Sequence, residues 1–599
     1  MDQASYTILH VHQLMTCLST ASRLYQMSYT SVSLLLFIAS VAAGTSNAEC
    51  LSATGSCSLI QRSDRGVTTR AEVEEASEGL DERLLSYEAA SDLIPKLSKN
   101  ATVYLGEDAI TANKQLIIMP LMEKNPAMIV FVASESDMLN TLKFCHSHRL
   151  RAVLAATGHD YNGRSSCLNC VRIATPKLCW VDASPEAQTA KVGAGCTWGR
   201  VLQELEPLGF LAVTGAVGSV SISGSLQGGG HGMSSRQYGL IADQLISARV
   251  ALANGSHVVV ADAHGPHSDL YQALRGGGGG TYGAVVEFTI HIYPSPKQVM
   301  ILDYWAPLEV AGGARPGFEL HERFLHNATW WAALPRTWAG WHSVLASADW
   351  DTGTFGLTAG ALYFSGSDPK ESCASGWESD CPAAIAELLD FNRTYSGIVL
   401  YSLGWPEYLS SMTDDDSTRQ AGGYVRQLIS NSFVTLDDLR TKGQTMTDLV
   451  LGGTLEASKK GRTAIWYYND VLGGVIPEKD PDGSATAISS GFRQAVFEFG
   501  PNTGWFDEGN DKIMSEYAEF MADDMYALGL GLNQSYYNEV TRWKHPETGR
   551  MVHRIDDWQK RFWDEGKYEF LLNVDKAYDP CNLLWVDRGV GSAEPKMTC

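Results

Sequence analysis

The chain has 599 residues, of which 44% are hydrophobic and 19% charged, and 68 acidic against 46 basic side chains leave a formal charge of −22. This is ordinary globular composition with enough length for several cores, which excludes a disordered or fibrous chain. So acidic a protein also lacks the basic footprint of a nucleic-acid binder.

No charged residue occurs between Arg23 and Glu49, and Val32–Ala43 is almost continuously apolar. That run is about half the ~20 residues a membrane-spanning helix needs. It ends in the small residues Gly44-Thr45-Ser46-Asn47-Ala48, so residues 1–48 read as a signal peptide cleaved near Ala48, with a signal anchor as the alternative and Met1 or Met27 as the start. A secreted or lumenal protein without a stable membrane anchor is expected. Cleavage leaves eleven of the twelve cysteines. Cys50 with Cys57 and Cys373 with Cys381 suit local disulfides, whereas Cys167-x-x-Cys170 stands without a second such pair and reads as structural rather than redox or zinc chemistry. Asn100, Asn254, Asn327, Asn392 and Asn533 head glycosylation sequons.

Residues 49–95 are polar and helix-prone. Ala127–Val132 is an apolar strand, Ser134-Glu135-Ser136-Asp137 opens a helix with Met138, Leu142 and Cys145 on one face, and Arg151–Ala156 returns as a strand to the turn at Gly158-His159. His146 and His148 are two apart on that helix, a spacing that turns them away from each other rather than toward one metal. A second unit runs from Lys191–Val192 through a helix carrying Val201, Leu202 and Leu205 to Leu211–Val213, and an alternating strand follows over Val285–Ile292. From about 298 the chain becomes aromatic-rich and alternating, as in Trp338–Trp350, Ile465–Tyr468 and Ala495–Phe499, which predicts an antiparallel sheet. Trp330, Trp331, Trp338, Trp341, Trp466 and Tyr467 read as sheet core, with stacking on a sugar or aromatic substrate as the alternative.

Glycines cluster in Thr157–Ser165, Gly215–Gly232 and Gly276–Gly283. Such segments bring backbone N–H groups close to an anionic ligand. The spacing Gly193-x-Gly195-x-x-x-Gly199 misses the dinucleotide fingerprint, and no GxxxxGK[ST] is present, so neither a nicotinamide site nor a P-loop is indicated.

The segment Gly158-His159-Asp160-Tyr161-Asn162-Gly163-Arg164-Ser165 resembles the histidine loop of the vanillyl-alcohol oxidase/p-cresol methylhydroxylase flavoproteins, and most of all their berberine bridge enzyme-like branch. The resemblance continues in order with Gly218-Ser219-Val220-Ser221-Ile222-Ser223-Gly224, Gly228-Gly229-Gly230, Tyr238-Gly239-Leu240 and Asp243, Asp269–Gly278, Tyr536-Tyr537-Asn538-Glu539, Tyr578-Asp579-Pro580-x-Asn582-Leu583-Leu584-Trp585 and Gly589–Ser592. It implies an α+β protein with a PCMH-type FAD-binding domain of two α/β subdomains at 120–297, after a flank at 49–119. A substrate domain on an antiparallel sheet at 298–535 and a C-terminal segment at 536–599 complete it.

By the same resemblance the cofactor is FAD, bonded through His159 and held by Gly158, Asp160, Tyr161, Gly163, Ser165, Gly218, Ser219, Val220, Gly224, Gly228, Gly229, Gly283, Asn538 and Asn582. Many relatives add a cysteinyl bond; the corresponding position is Val217, so a single covalent bond is expected. The chain also departs from the family at Ala155-Ala156-Thr157, where an Arg and two glycines are usual. Val220 lies where a residue lining the flavin face governs access of O₂. Tyr536 takes the place of the base, with Arg493 as a candidate helper and with Tyr537 facing the pocket instead as the alternative. The activity implied is oxidation of a small-molecule alcohol, carbohydrate or secondary metabolite by hydride transfer to flavin N5, with O₂ as acceptor and no metal. The rival readings are a dehydrogenase using another acceptor, a flavin-retaining binding protein, and substrate cyclisation.

Overall fold

In the computed structural model the described residues run from 90 to 593, apart from 115, 117–123, 216, 308–326 (save 319 and 323), 349–354, 365–397 (save 387), 414–425, 460–463, 470–471, 506–507, 541–542, 545–550 and 553–556. The expected signal peptide, Cys50, Cys57, Cys373, Cys381 and Asn392 lie outside them. Among the described residues no helix is long and apolar enough to cross a membrane.

The apolar run at 127–132 becomes β2 (Met128–Phe131), buried at its first three positions. The helix Glu135–His148 follows; Ser134 Oγ accepts from Asp137 N–H at 3.1 Å, and Met138, Leu142 and Cys145 are buried against the sheet. The chain returns as β3 (Ala152–Ala155), but β3 does not pair with β2. β1 (Thr102–Leu105) is antiparallel to β2, and the later strand β4 (Val171–Ala174) sits between β2 and β3, parallel to both. β4 is buried at all four positions, so it takes the interior place while the helical crossover spans it.

The second sheet is antiparallel throughout. It contains β5 (Val181–Ser184), β6 (Thr189–Gly193), β8 (Leu245–Ala251), β9 (Val258–Asp262) and β10 (Ala284–His291) in the order β5-β6-β10-β8-β9. β7 (Phe210–Leu211) forms a separate two-residue ribbon with β11 (Tyr293–Pro294). The helix Trp198–Leu205, capped by Thr197, buries Val201, Leu202 and Leu205, and Trp198 Nε1–H donates to Ser225 Oγ at 2.8 Å beneath the glycine-rich turn. Disulfides join Cys167 to Cys170 and Cys179 to Cys196.

An eight-stranded sheet makes the rest: β12 (Gln298–Pro307), β13 (Ala339–Ala348), β14 (Phe355–Phe364), β15 (Ile398–Gly404), β16 (Arg426–Ile429), β17 (Ser432–Thr435), β18 (Ala464–Asn469) and β19 (Ala495–Trp505). Its order is β15-β12-β14-β13-β18-β19-β16, with β17 also on β19. Long helices Leu436–Lys459 and Asp511–Ala527 pack on it, joined where Tyr517 O–H donates to Gly453 O at 2.8 Å. Trp330, Trp331 and Trp338 are each 3% exposed and so are core, but not on strands as expected: the first two lie on the helix Ala328–Ala333 and Trp338 just before β13; the side chains of Trp341, Trp466 and Tyr467 lie outside the described residues.

The C-terminal segment returns to the first sheet. Ala152 N–H donates to Leu583 O and Trp585 N–H to Ala152 O, extending the sheet beside β3. The turn at Asp243 is fastened to the short helix Ser490–Gln494 by Arg493, whose Nη1 and Nη2 donate to Asp243 Oδ2 and Oδ1 at 2.8 and 2.7 Å. Both side chains are almost wholly buried, at 5% and 1% exposure. Without Arg493 the buried Asp243 carboxylate keeps, among the described residues, only the cation Arg275, at 3.7 Å, so Arg493→Ala should cost about 3–5 kcal/mol of stability, and Arg493→Lys less. Urea unfolding measures this; a loss below about 1 kcal/mol, the worth of a surface pair, would show that the bridge does not join the two regions.

Candidate flavin site and its closing segment

The loop that begins at Gly158 is shaped from within. Asp160 Oδ1 accepts from the N–H groups of Asn162 and Arg164 at 2.9 and 2.8 Å, and Oδ2 from Arg164 Nη1 at 3.0 Å. These bonds turn the backbone outward and spend the Asp160 carboxylate inside the protein. His159 stands at the loop tip, partly buried, with Nδ1 3.1 Å from Thr157 Oγ1 and Nε2 2.9 Å from Ser219 Oγ. The last contact joins the first glycine segment to the second. Gly218 and Val220 offer their carbonyls to the N–H groups of Gly199 and Trp198, and Ser221 caps the helix Ile222–Gln227.

The closing segment enters at the end of that helix. Asn538 Nδ2 donates to Gly224 O at 3.1 Å and to the Tyr536 hydroxyl at 3.0 Å. A Cβ on Gly228 would stand 2.3 Å from Asn538 Nδ2, so only glycine lets this side chain lie against the turn. Tyr536 and Tyr537 face opposite sides. Tyr536 packs among Leu240, Phe433 and Phe492, with its ring 4.9 Å from that of His231. Burial, then the Glu539 carboxylate, and further Glu498 push its phenol well above the usual value near 10, against the pull of Asn538 and the Gly230 N–H, which both donate to its oxygen. Tyr537 lies under the Arg164 guanidinium, 3.9 Å from ring centroid to Cζ, and burial pushes its phenol up to about 12 despite that cation. Arg493 is spent on Asp243 and Thr486, so the groups that attend the Tyr536 hydroxyl are Asn538 and the Gly230 N–H instead.

The glycine run 276–280 forms another wall. Gly278 lies against the Tyr537 ring and Gly279 against Gln227. Gly283, in contrast, packs on Val250 and Ala251 of β8, and the Asn582 side chain donates to Gly591 O within the closing segment. Buried polar atoms around these glycine loops, namely both side-chain atoms of Asn162, Nη2 of Arg164 and the Tyr537 hydroxyl, have no hydrogen-bond partner among the described residues. Such groups are costly unless a ligand pairs them. Glycine loops, unpaired donors and a histidine at the loop tip are a donor set that fits FAD, which carries phosphate oxygens and a polar ring edge.

Residues 126–261 match the family described as an FAD binding domain. "FAD-linked oxidoreductase sthB" of Phaeosphaeria nodorum is 31% identical over 292 residues, spanning 48% of this chain and 86% of that protein. This chain belongs to the FAD-linked oxidoreductases. Over greater length, "VAO-type flavoprotein oxidase VAO615" of Thermothelomyces thermophilus is 24% identical across 496 residues, 78% of this chain and 76% of that one. Other relatives match a segment: this chain spans 22% of the length of "FAD-linked oxidoreductase pytB" of Aspergillus terreus, at 33% identity over 180 residues, 30% of this chain. The solved structure of Physcomitrella patens BBE-like 1 covers 85% of this chain and all of its own with a TM-score of 0.66 at 18% identity, a likeness of fold.

In this FAD-linked oxidoreductase the candidate cradle is lined by two glycine loops, the run 276–280 and the closing segment. Sequence reasoning singled out Tyr536 and Asn538 but gave no part to Asn162 or Arg164, although both stand inside the histidine motif. Arg164 could have been weighed, since it is the one cation in that loop. Nothing local marked His231 or Glu498, whose Nε2 and Oε2 stand 3.0 Å apart across the seam with the large sheet.

Proposed function

We propose that this protein is a secreted FAD-dependent oxidase of a small alcohol, carbohydrate or secondary metabolite, with the flavin bonded to His159 and O₂ as the acceptor. The observation that carries the reading is that the glycine-rich turn is held at one end by His159 on Ser219 and at the other by Asn538, which donates to Gly224 O and to the Tyr536 hydroxyl. When bound, FAD supplies the two-electron acceptor that takes hydride at N5. The chain's own residues do the rest. His159 is oriented by two hydroxyls, Thr157 and Ser219; bonding to the flavin replaces one of these contacts and leaves the other to fix the ring. Tyr536 removes the proton from the substrate hydroxyl. Asn538 and the Gly230 N–H, both donating to its oxygen, ease the ionisation that burial and the Glu539 and Glu498 carboxylates oppose.

Val217 offers no sulfur for a second bond, and Val220 leaves room beside the flavin for O₂. The name of VAO615, a flavoprotein oxidase, supports the choice of oxidase over dehydrogenase. Secretion is supported by the apolar run before Ala48 and by the disulfides at Cys167–Cys170 and Cys179–Cys196, which persist in oxidising compartments.

Acid-precipitated protein should stay yellow and should form hydrogen peroxide on a panel of sugars and alcohols, while His159→Ala loses the acid-stable flavin. Loss of all flavin from the wild type on precipitation would overturn the covalent bond, and turnover only with an added dye would make the enzyme a dehydrogenase. For the base, Tyr536→Phe should slow flavin reduction by about 10²–10⁴-fold in stopped flow at unchanged flavin content, and Tyr537→Phe much less. The reverse order of effects would move the role to Tyr537.

A further inference from the structure

Three side chains unused by the flavin reading converge where the glycine-rich turn, the large sheet and the closing segment meet. His231 follows Gly230, Glu498 lies on β19, and Glu539 ends the short turn Tyr537–Glu539. One ligand atom from each, an imidazole nitrogen and two carboxylate oxygens, lie within 4.8 Å of one another. His231 Nε2 and Glu498 Oε2 are 3.0 Å apart, with the two side chains only 3% and 1% exposed, and Glu539 is half-buried.

We propose that His231, Glu498 and Glu539 bind a divalent first-row cation of the zinc or manganese kind. Carboxylates at this range repel each other when both are ionised, and a divalent cation between them turns that repulsion into attraction. Ligands at the usual roughly 2.0–2.2 Å from one such ion stand about 3 Å apart, the separation already present between His231 and Glu498. Closing the remaining gap asks for movement of Glu539, the least buried of the three. One imidazole with two carboxylates suits zinc or manganese better than calcium, which takes about 6–8 oxygens. A plain His–Glu ion pair needs two groups; the third ligand is what makes a metal site. Each ligand also comes from an anchored backbone. Asn431 Nδ2 donates to Glu539 O at 2.9 Å, Glu498 is in register with Asn469 and Phe433, and Ile241 N–H donates to Gly230 O beside His231. The ion therefore ties the cofactor side of the molecule to the large sheet and to the closing segment.

Tag-free holoprotein stripped with EDTA and dialysed against Zn²⁺ or Mn²⁺ tests the site, with metal counted by mass spectrometry and flavin by absorbance in the same samples. One equivalent per chain is expected, with a raised melting temperature. Glu539→Gln and His231→Gln should each weaken binding at least about tenfold, the least that even a supporting contact costs, at unchanged flavin content. If Glu498→Gln does not fold, these two variants decide. Uptake far below one equivalent, or equal uptake by wild type and both variants, overturns the site. Protein that holds flavin but takes no metal refutes this inference alone; protein that takes the metal without flavin supports the site and refutes the flavoprotein reading.

Discussion

The Arg164 guanidinium is the interaction on which the cofactor side of the molecule depends. Buried at 4% exposure, it holds Asp160 at 3.0 Å, donates to the carbonyls of Tyr537 and Asp587 at 2.8 and 3.1 Å, and covers the Tyr537 ring. Burial works against its charge, and Tyr537, Asp160 and Asp587 outweigh that cost. Removing any of these partners would leave a buried charge less compensated, at a cost larger than that of a surface pair. The histidine loop and the distant closing segment therefore hold their shapes together, and the placement of His159, Tyr536 and Asn538 follows from one fastening.

Around that fastening, close approach is the recurring device. Asn538 can reach both Gly224 O and the Tyr536 hydroxyl because Gly228 presents no side chain, and Tyr537 can lie on Gly278 for the same reason. The Tyr536 hydroxyl then sits between opposing influences. Two donors favour its ionised form, while burial and the carboxylates of Glu539 and Glu498 oppose it. Burial and the carboxylates prevail, so the phenol stays well above its usual value, and the groups at the seam with β19 contribute to that shift as well as to the packing.

Local signals predicted local structure well. Ser134 and Asp137 make the cap that their spacing announces, and Met138, Leu142 and Cys145 face the core at helical period. The alternating segment at 285–292 is β10, and the aromatic stretch at 465–468 lies in β18. Each depends on a few consecutive residues. The insertion of β4 between β2 and β3, and the pairing of Cys179 with Cys196, depend on chain that arrives later and were not foreseen.

The candidate site divides along the same line. Glycine segments, His159 and the Tyr536–Asn538 spacing could be singled out because close backbone approach, as at Gly228 and Gly278, tolerates few residue types, and that constraint is written position by position. Arg493 shows the opposite case: its sequence neighbourhood suggested a partner for Tyr536, whereas folding commits it to Asp243. The pairs Arg164–Tyr537, Asn538–Gly228 and His231–Glu498 likewise exist only in three dimensions. By itself the sequence determined which segments turn, cap, alternate and permit close approach, because those are properties of short stretches. Only the tertiary structure decided which buried charges meet, because a charge far along the chain carries no local sign of the partner that burial will force on it.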